Sequence, residues 1–400
     1  MTASERPPQP RRRARELGVR IGLLPTGTTN SIVDVTDVAV GHRTVWRDEP
    51  GPPTGRGIAR TGVTAIVPFG ADELFEAQVP AGAAVLNGAG EAIGITTIQE
   101  WGIIESPILL TSSMAIGRVY DGAIERLVAR IPHAGIEDAL MPVVAECDDG
   151  DLNDSRTVQV DAADVAGAID DALGAGDGPP VLGVVGAGTG MICFDLKGGI
   201  GSASRVVRPH DRAGDPTRGS REYTVGAVAL TNFGWLDRLT VDGVPVGRTL
   251  DAEGWPASGG GTTASPKAGS NPSHERGSCV VVLATDAPLL PQQLTRLARR
   301  AALGLARTGS TAGHGSGEIF LAFSTGYRIR RGPVDALVST THLHDEFLDR
   351  FFMAAVEATE EAVIDALFVA DTVHGRDGRV VPGLPVERTL DLLRLAGRLA

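Results

Sequence analysis

The chain has 400 residues, 42% of them hydrophobic and 22% charged, enough to bury a sizeable core. A formal net charge of −12 argues against the electrostatic footprint of a nucleic-acid binder, and no apolar run reaches the roughly 18–20 residues of a membrane helix. Three cysteines, Cys147, Cys193 and Cys279, show no CxxC spacing, so neither a disulfide framework nor a zinc site is indicated. The N-terminus lacks the apolar stretch of a secretory signal, and a soluble cytoplasmic protein is the expectation.

In chain order, the basic run Arg11-Arg12-Arg13-Ala14-Arg15 reads as part of a solvated tail over residues 1–16. Strand-like apolar runs come next at 64–67, 181–185, 224–230, 280–284 and 319–323. Helical spacing is found over 114–131, 290–307 and 345–370, clearest in the second, where Leu290, Leu294, Leu297, Ala298, Ala301 and Leu305 recur every three or four residues. The stretch 251–277, with the glycines 259–261 and Pro256, Pro266 and Pro272, reads as a flexible linker. Strands and helices are interspersed without a repeating βα unit, which favours layered sheets and helices in one domain over 17–400.

Several motifs tempt. Gly186-Ala187-Gly188-Thr189-Gly190 has GxGxG rather than the dinucleotide pattern GxGxxG, and the next residues, MICFDLKGG, make a poor amphipathic helix opening. His342 and His344 precede a helical segment and read as a polar loop with a helix cap rather than metal ligands. No metal or other cofactor is implied.

The dipeptide Gly277-Ser278 is different, because it heads the buried-strand run 279–284 and because Gly315-Ser316-Gly317-Glu318 lies downstream. A cut before Ser278 would place a hydroxyl and a new α-amine on one residue. Such an amine has a pKa of about 7.7–8.0, against about 10.4 for lysine, and can serve as base for its own hydroxyl near neutral pH. Cys279, by strand alternation, should face away from the site and belong to the core.

The stretch 277–325 resembles the self-cleaving serine aminopeptidases that include L-aminopeptidase/D-amidase-esterases and β-peptidyl aminopeptidases. Ser316 and Glu318 lie 38 and 40 residues after Ser278, at the family's offsets. The resemblance runs from about Gly18 to the end, through LLPTGTTNSIVDVTDVAVGH, VLNGAGEAIGITTIQEWG, VVAECDDGDLND, GAGTGMICFDLKGG and TNFGWLDRLTVDG, in the family's order. Residues 1–16 and 251–276 fall outside it.

The resemblance implies a four-layer αββα sandwich, similar to N-terminal nucleophile hydrolases, cleaved between Gly277 and Ser278 into fragments 1–277 and 278–400. It implies Ser278 as nucleophile, Ser316 and Glu318 as the pair orienting its hydroxyl and amine, and Asn232 as an oxyanion donor. Glu146 would bind the free amino terminus of a small peptide or of an amino-acid amide or ester. GAGTG would pack against the nucleophile strand, and the working form would be a homo-oligomer of cleaved heterodimers. Where relatives often carry an oxyanion-binding tyrosine, two residues after that glutamate, this chain has Asp148. Ionised, it would oppose the developing charge unless it turns away. Asp148 therefore keeps open a competing reading, an uncleaved or weakly active member serving as a binding or scaffold protein.

Overall fold

The computed structural model describes residues 11–176, 178–208, 221–255, 276–332 and 335–399. Its long strands are runs of β-branched and small residues, and most are buried on both faces because each sheet is covered on both sides. One sheet orders β1 (Val38–Asp48), β2 (Ile58–Pro68), β6 (Ile108–Ser112), β7 (Val143–Cys147) and β4 (Ala92–Ile93). The other orders β10 (Gly199–Val207), β11 (Tyr223–Asn232), β12 (Arg276–Thr285), β13 (Gly315–Ser324), β3 (Ala77–Gly88) and β14 (Ile329–Arg330), with β5 (Ile103–Ile104) beside β3. Two hairpins complete the strands, β8 (Ile192–Cys193) with β9 (Leu196–Lys197), and β15 (Val373–His374) with β16 (Val380–Val381).

Helices α2 (Ile116–Val128) and α3 (Ala162–Gly174) cover the first sheet. The second is covered by α5 (Pro291–Ala298), α6 (Ala301–Thr308) and α7 (Leu348–Val369), while α1 (Ile95–Trp101), α4 (Val246–Ala252) and α8 (Val386–Leu395) are shorter flanking elements. Three apolar layers result. Val280, Val282, Leu321 and Leu110 meet between the sheets, Val281, Leu283 and Phe320 meet α5 and α7, and Val63, Ala65 and Leu109 meet α2 and α3. The architecture is the four-layer αββα sandwich, and the alternation along β12 sorts its residues between two of those layers.

Helical spacing located α2 and α7 within two or three residues. The run 290–307 instead forms two helices, with Arg299 and Arg300 in the turn between them. The expected strand at 181–185 is a loop after Pro179-Pro180, joined to β10 only by the bridge between Gly183 and Ile200.

The basic N-terminal run is also corrected. Arg13 pairs with Asp365 at 2.7 Å and Arg15 with Glu361 at 2.7 Å, both acids buried on α7, and Ala14 is fully buried. Residues 11–16 are therefore a docked arm; 1–10 lie outside the described residues. So does 256–275, most of the expected linker, whose first residues finish α4 and its turn.

Candidate active site

Strand register gathers the predicted residues around one end of β12. That strand runs antiparallel to β11 and parallel to β13, with Ser278 opposite Asn232 on one side and Gly317 on the other. Ser316 and Glu318 flank Gly317. Both are fully buried, and the Ser316 hydroxyl donates to Glu318 Oε1, as their shared strand face predicts.

Gly277 has φ +147°, and a Cβ there would lie 2.1 Å from the Asn232 carbonyl oxygen and 2.9 Å from Cα of Phe233. Only glycine fits before the serine. Ser278 is 4% exposed, and its Oγ lies against the Cys147 thiol, a weak partner, with no nitrogen or oxygen partner among the described residues. Cys279 is buried in the helix-side layer, on the face opposite Val280, as alternation requires.

Glu146 comes from the other sheet. Parallel pairing of β6 and β7 sets it beside Thr111, just before the turn carrying Ser113. Its Oε1 accepts from the Glu91 N–H at 2.9 Å, and its Oε2 accepts from the Ser113 hydroxyl. A Cβ on Gly90 would lie 3.1 Å from Glu146 Oε1 and 3.8 Å from Cα of Gly317, so the carboxylate sits close to the strand beside Ser278. Burial pushes its pKa up, the hydrogen bonds from Ser113 and Glu91 hold it down, and the charges of Asp148 and Glu91 raise it again. A carboxyl so destabilised as an anion gains from an arriving ammonium.

Asn232, 8% exposed, has its amide fixed by two contacts. Oδ1 accepts from the Ile192 N–H at 2.9 Å, and Nδ2 donates to the Asp148 carbonyl oxygen at 2.8 Å, leaving one amide hydrogen for a further acceptor. Asp148 thus touches Asn232 through its backbone. Its side chain is exposed, and the carboxylate accepts the Gly150 N–H at 2.9 Å. The carboxylate is thus tied into its own turn, while its charge still reaches the site, where it helps raise the pKa of Glu146.

Three supporting residues escape sequence reading. Ser113 follows β6, and only the β6–β7 pairing reveals that it meets Glu146. Asp149, in an acidic run that reads as surface, is fully buried: it accepts from Ser112 Oγ at 2.7 Å and Asn153 Nδ2 at 3.0 Å, and burial lifts its pKa to about 6. Lys197 is fully buried too. Its ammonium donates to the carbonyls of Gly188, Met191 and Gly198 at 3.1, 2.6 and 2.8 Å, and burial lowers its pKa to about 7.

That lysine ties down the turn leading to Ile192, and so the partner of Asn232. The preceding GAGTG segment, a buried 3-10 turn at Gly186–Gly190, packs mainly on β2 and β1 rather than, as the resemblance implied, on β12. His344 caps the turn before α7, accepting from the Glu346 N–H. Among the described residues no group of three His, Cys, Asp or Glu side chains is placed to hold a metal ion, and no helix is long and apolar enough to cross a membrane.

Residues 30–381 match the model of peptidase family S58. The beta-peptidyl aminopeptidase BapA of Sphingosinicella xenopeptidilytica is 40% identical over 383 residues, covering 96% of this chain and 91% of that protein. Among solved structures, the l-aminopeptidase d-ala-esterase/amidase from Ochrobactrum anthropi, described as a variant among the Ntn hydrolase fold, superposes with a TM-score of 0.84 at 38% identity. The match covers 98% of this chain and all of that one. A Burkholderia sp. beta-aminopeptidase superposes with a TM-score of 0.81 at 40% identity, covering 96% of this chain and 99% of its own.

Proposed function

We propose, from the premise that this chain belongs to peptidase family S58 and is an aminopeptidase, that it cuts itself before Ser278 and works through the serine so released. Ser278 Oγ attacks the Gly277 carbonyl carbon. A C–O ester forms as the C–N bond breaks, and the nitrogen leaves as the new α-amine, taking the hydroxyl's proton. Water then hydrolyses the ester to the Gly277 carboxylate and restores the hydroxyl. Glycine at 277 favours this chemistry, since no side chain shields the carbonyl.

In the mature enzyme the α-amine of Ser278 takes the proton from Oγ as Oγ attacks the substrate carbonyl. The proton then passes to the leaving amine or alcohol, and water releases the acyl group. The remaining Nδ2 hydrogen of Asn232 serves the oxyanion, and the Ser316–Glu318 pair orients the serine. Glu146 receives the substrate's ammonium, which selects peptides with a free amino terminus. Small L-residues, D-amino-acid amides or esters and β-peptides are the substrate range, β-peptides being favoured by the activity for which BapA is named.

The observation that carries this reading is the register that sets Ser278 between Asn232 and the Ser316–Glu318 segment. Cleavage would leave the fragments interlocked, because β12 and β13 of the second remain paired with β11 and β3 of the first. A homo-oligomer of such heterodimers is part of the proposal. The test is a pair of chromogenic amides, one with a free amine and one N-acetylated: the free amine should be turned over and the acetylated one hardly at all. Equal turnover would leave a general amidase and remove Glu146 from its role.

A further inference from the structure

We infer that a pocket beside the nucleophile binds the carboxylate of the substrate's leaving portion through Arg376 and Arg379. The inference rests on the aminopeptidase reading and adds to it the chemical class accepted on the far side of the scissile bond. The pocket has a volume of about 520 Å³, and its wall is formed by Ser113, Met114, Asp148, Gly150 and Ser155 together with Arg376 and Arg379. It shares its wall with the site: Ser113 donates to Glu146, and the Asp148 carbonyl accepts from Asn232, which stands opposite Ser278.

Both arginines are held by a built support. They sit on the tight turn of the β15–β16 hairpin, at Arg376–Gly378 and the residue after it. Val373 and Val381 of that hairpin form a small buried cluster with Leu152. The Arg376 N–H donates to the Leu152 carbonyl at 2.9 Å, and a Cβ on Gly375 would lie 2.5 Å from a Leu152 side-chain carbon, so the hairpin is pressed onto the turn that also carries Asp148 and Gly150.

Asp148 in the wall and the paired Asp151 and Asp377 outnumber the two guanidiniums, so what the arginines offer an anion is unspent N–H donors rather than net charge. Arg379 Nη1 pairs with Asp151 Oδ1 at 2.5 Å and Arg376 Nε with Asp377 Oδ2 at 2.9 Å, each pair spending one of a guanidinium's five N–H donors. The side chains are 21% and 32% exposed, partly dry and still open to a solute. Planar guanidinium groups match the two oxygens of a carboxylate better than any neutral terminus. With Glu146 holding the ammonium at one end and the arginines the carboxylate at the other, the site is matched to short zwitterionic peptides.

The experiment compares three peptides sharing one free N-terminal residue: a dipeptide with a free C-terminal carboxylate, its carboxamide, and a carboxamide bearing an Asp side chain after the scissile bond. The expected result is a KM for the free acid about tenfold below that of the plain carboxamide. In the double variant Arg376→Gln/Arg379→Gln the ratio should collapse towards one through a rise in the free acid's KM, while Lys at both positions restores part of it. Preference for the Asp-bearing carboxamide over the free acid assigns the pocket to a side chain, and preference for the free acid assigns it to the C-terminus; either supports a carboxylate site. Equal KM values for all three in the wild type, or a preference that survives the double substitution, would overturn it. If none of the three is cleaved, the aminopeptidase reading falls, and calorimetric binding of the same set judges the pocket alone: equal binding of acid and carboxamide overturns it, and tighter binding of the acid lost with the arginines supports it.

Discussion

Two buried polar regions of this molecule look alike in composition and differ in how completely they are satisfied. At the N-terminal arm, Arg205 is fully buried and donates to Glu357 at 3.0 Å, Glu361 at 2.6 Å and the carbonyls of Ser204 and Ile21 at 2.7 Å each. Glu357 also accepts from the N–H groups of Leu23 and Leu24, and Glu361 from Arg15 and Asn30. Burial raises the pKa of Glu361, yet its bond from Arg15 and the charges of Arg205 and Arg15 bring it below the usual range. At the head of β12, by contrast, the Ser278 hydroxyl has only the weak Cys147 thiol against it and no nitrogen or oxygen partner among the described residues, Asn232 retains an amide hydrogen, and Glu146 is held above its usual pKa. A closed network fixes the chain; an open one retains capacity for a substrate.

The sharpest break in that comparison is Ser278→Ala. It should leave a single uncut chain and lower turnover by on the order of a million-fold, the scale on which loss of a nucleophile is felt, while the arm remains docked. Intact mass and initial rates measure both. Processing that persists in the purified variant would assign the cut to an outside protease. The opposite break is Arg205→Met, which takes from Glu357 its arginine and from Glu361 one of its two, leaving a buried acid without a charged partner. It should cost about 3–5 kcal/mol of stability with kcat per folded molecule unchanged, read by denaturant unfolding and active-site titration.

Asn232→Ala should lower kcat by roughly 10²–10³-fold with a small change in KM, the usual cost of an oxyanion donor. An unchanged kcat would confine Asn232 to its contacts with Ile192 and Asp148. Glu146→Gln sharpens the comparison most gently: KM for free-amine substrates should rise about tenfold and kcat fall less. Its pH dependence has a definite sign. The ammonium binds the ionised carboxylate, whose pKa lies above the usual 4.5, so wild-type KM should climb as pH falls through that raised value. In Glu146→Gln the climb should vanish, and an acid limb that survives would belong to another group.

How far the sequence reveals these regions depends on the range of the interactions. The β12 strand is written locally, in a β-branched run after a glycine that no other residue could replace, and the Ser316–Glu318 pair follows from a two-residue step along β13. Family resemblance supplies Glu146 and Asn232. Ser113 and Lys197 stay hidden because their partners come from strand pairing and loop closure rather than spacing. The arm is misread for the same reason: an arginine run looks solvated until Glu361 and Asp365, some 350 residues away, are brought beneath it. Asp148 shows what residue type alone leaves out: its backbone carbonyl holds Asn232 while its carboxylate is tied into its own turn.

The central claim, that Ser278 is both the agent and the product of a cut in its own chain, is tested most directly by synthesis in a reconstituted translation mixture free of proteases, with intact mass and N-terminal sequencing of the product. The account predicts two fragments, one beginning with Ser278 and the other ending with Gly277. A persistent 41.5 kDa species, or a new terminus elsewhere in the preceding stretch, would contradict it.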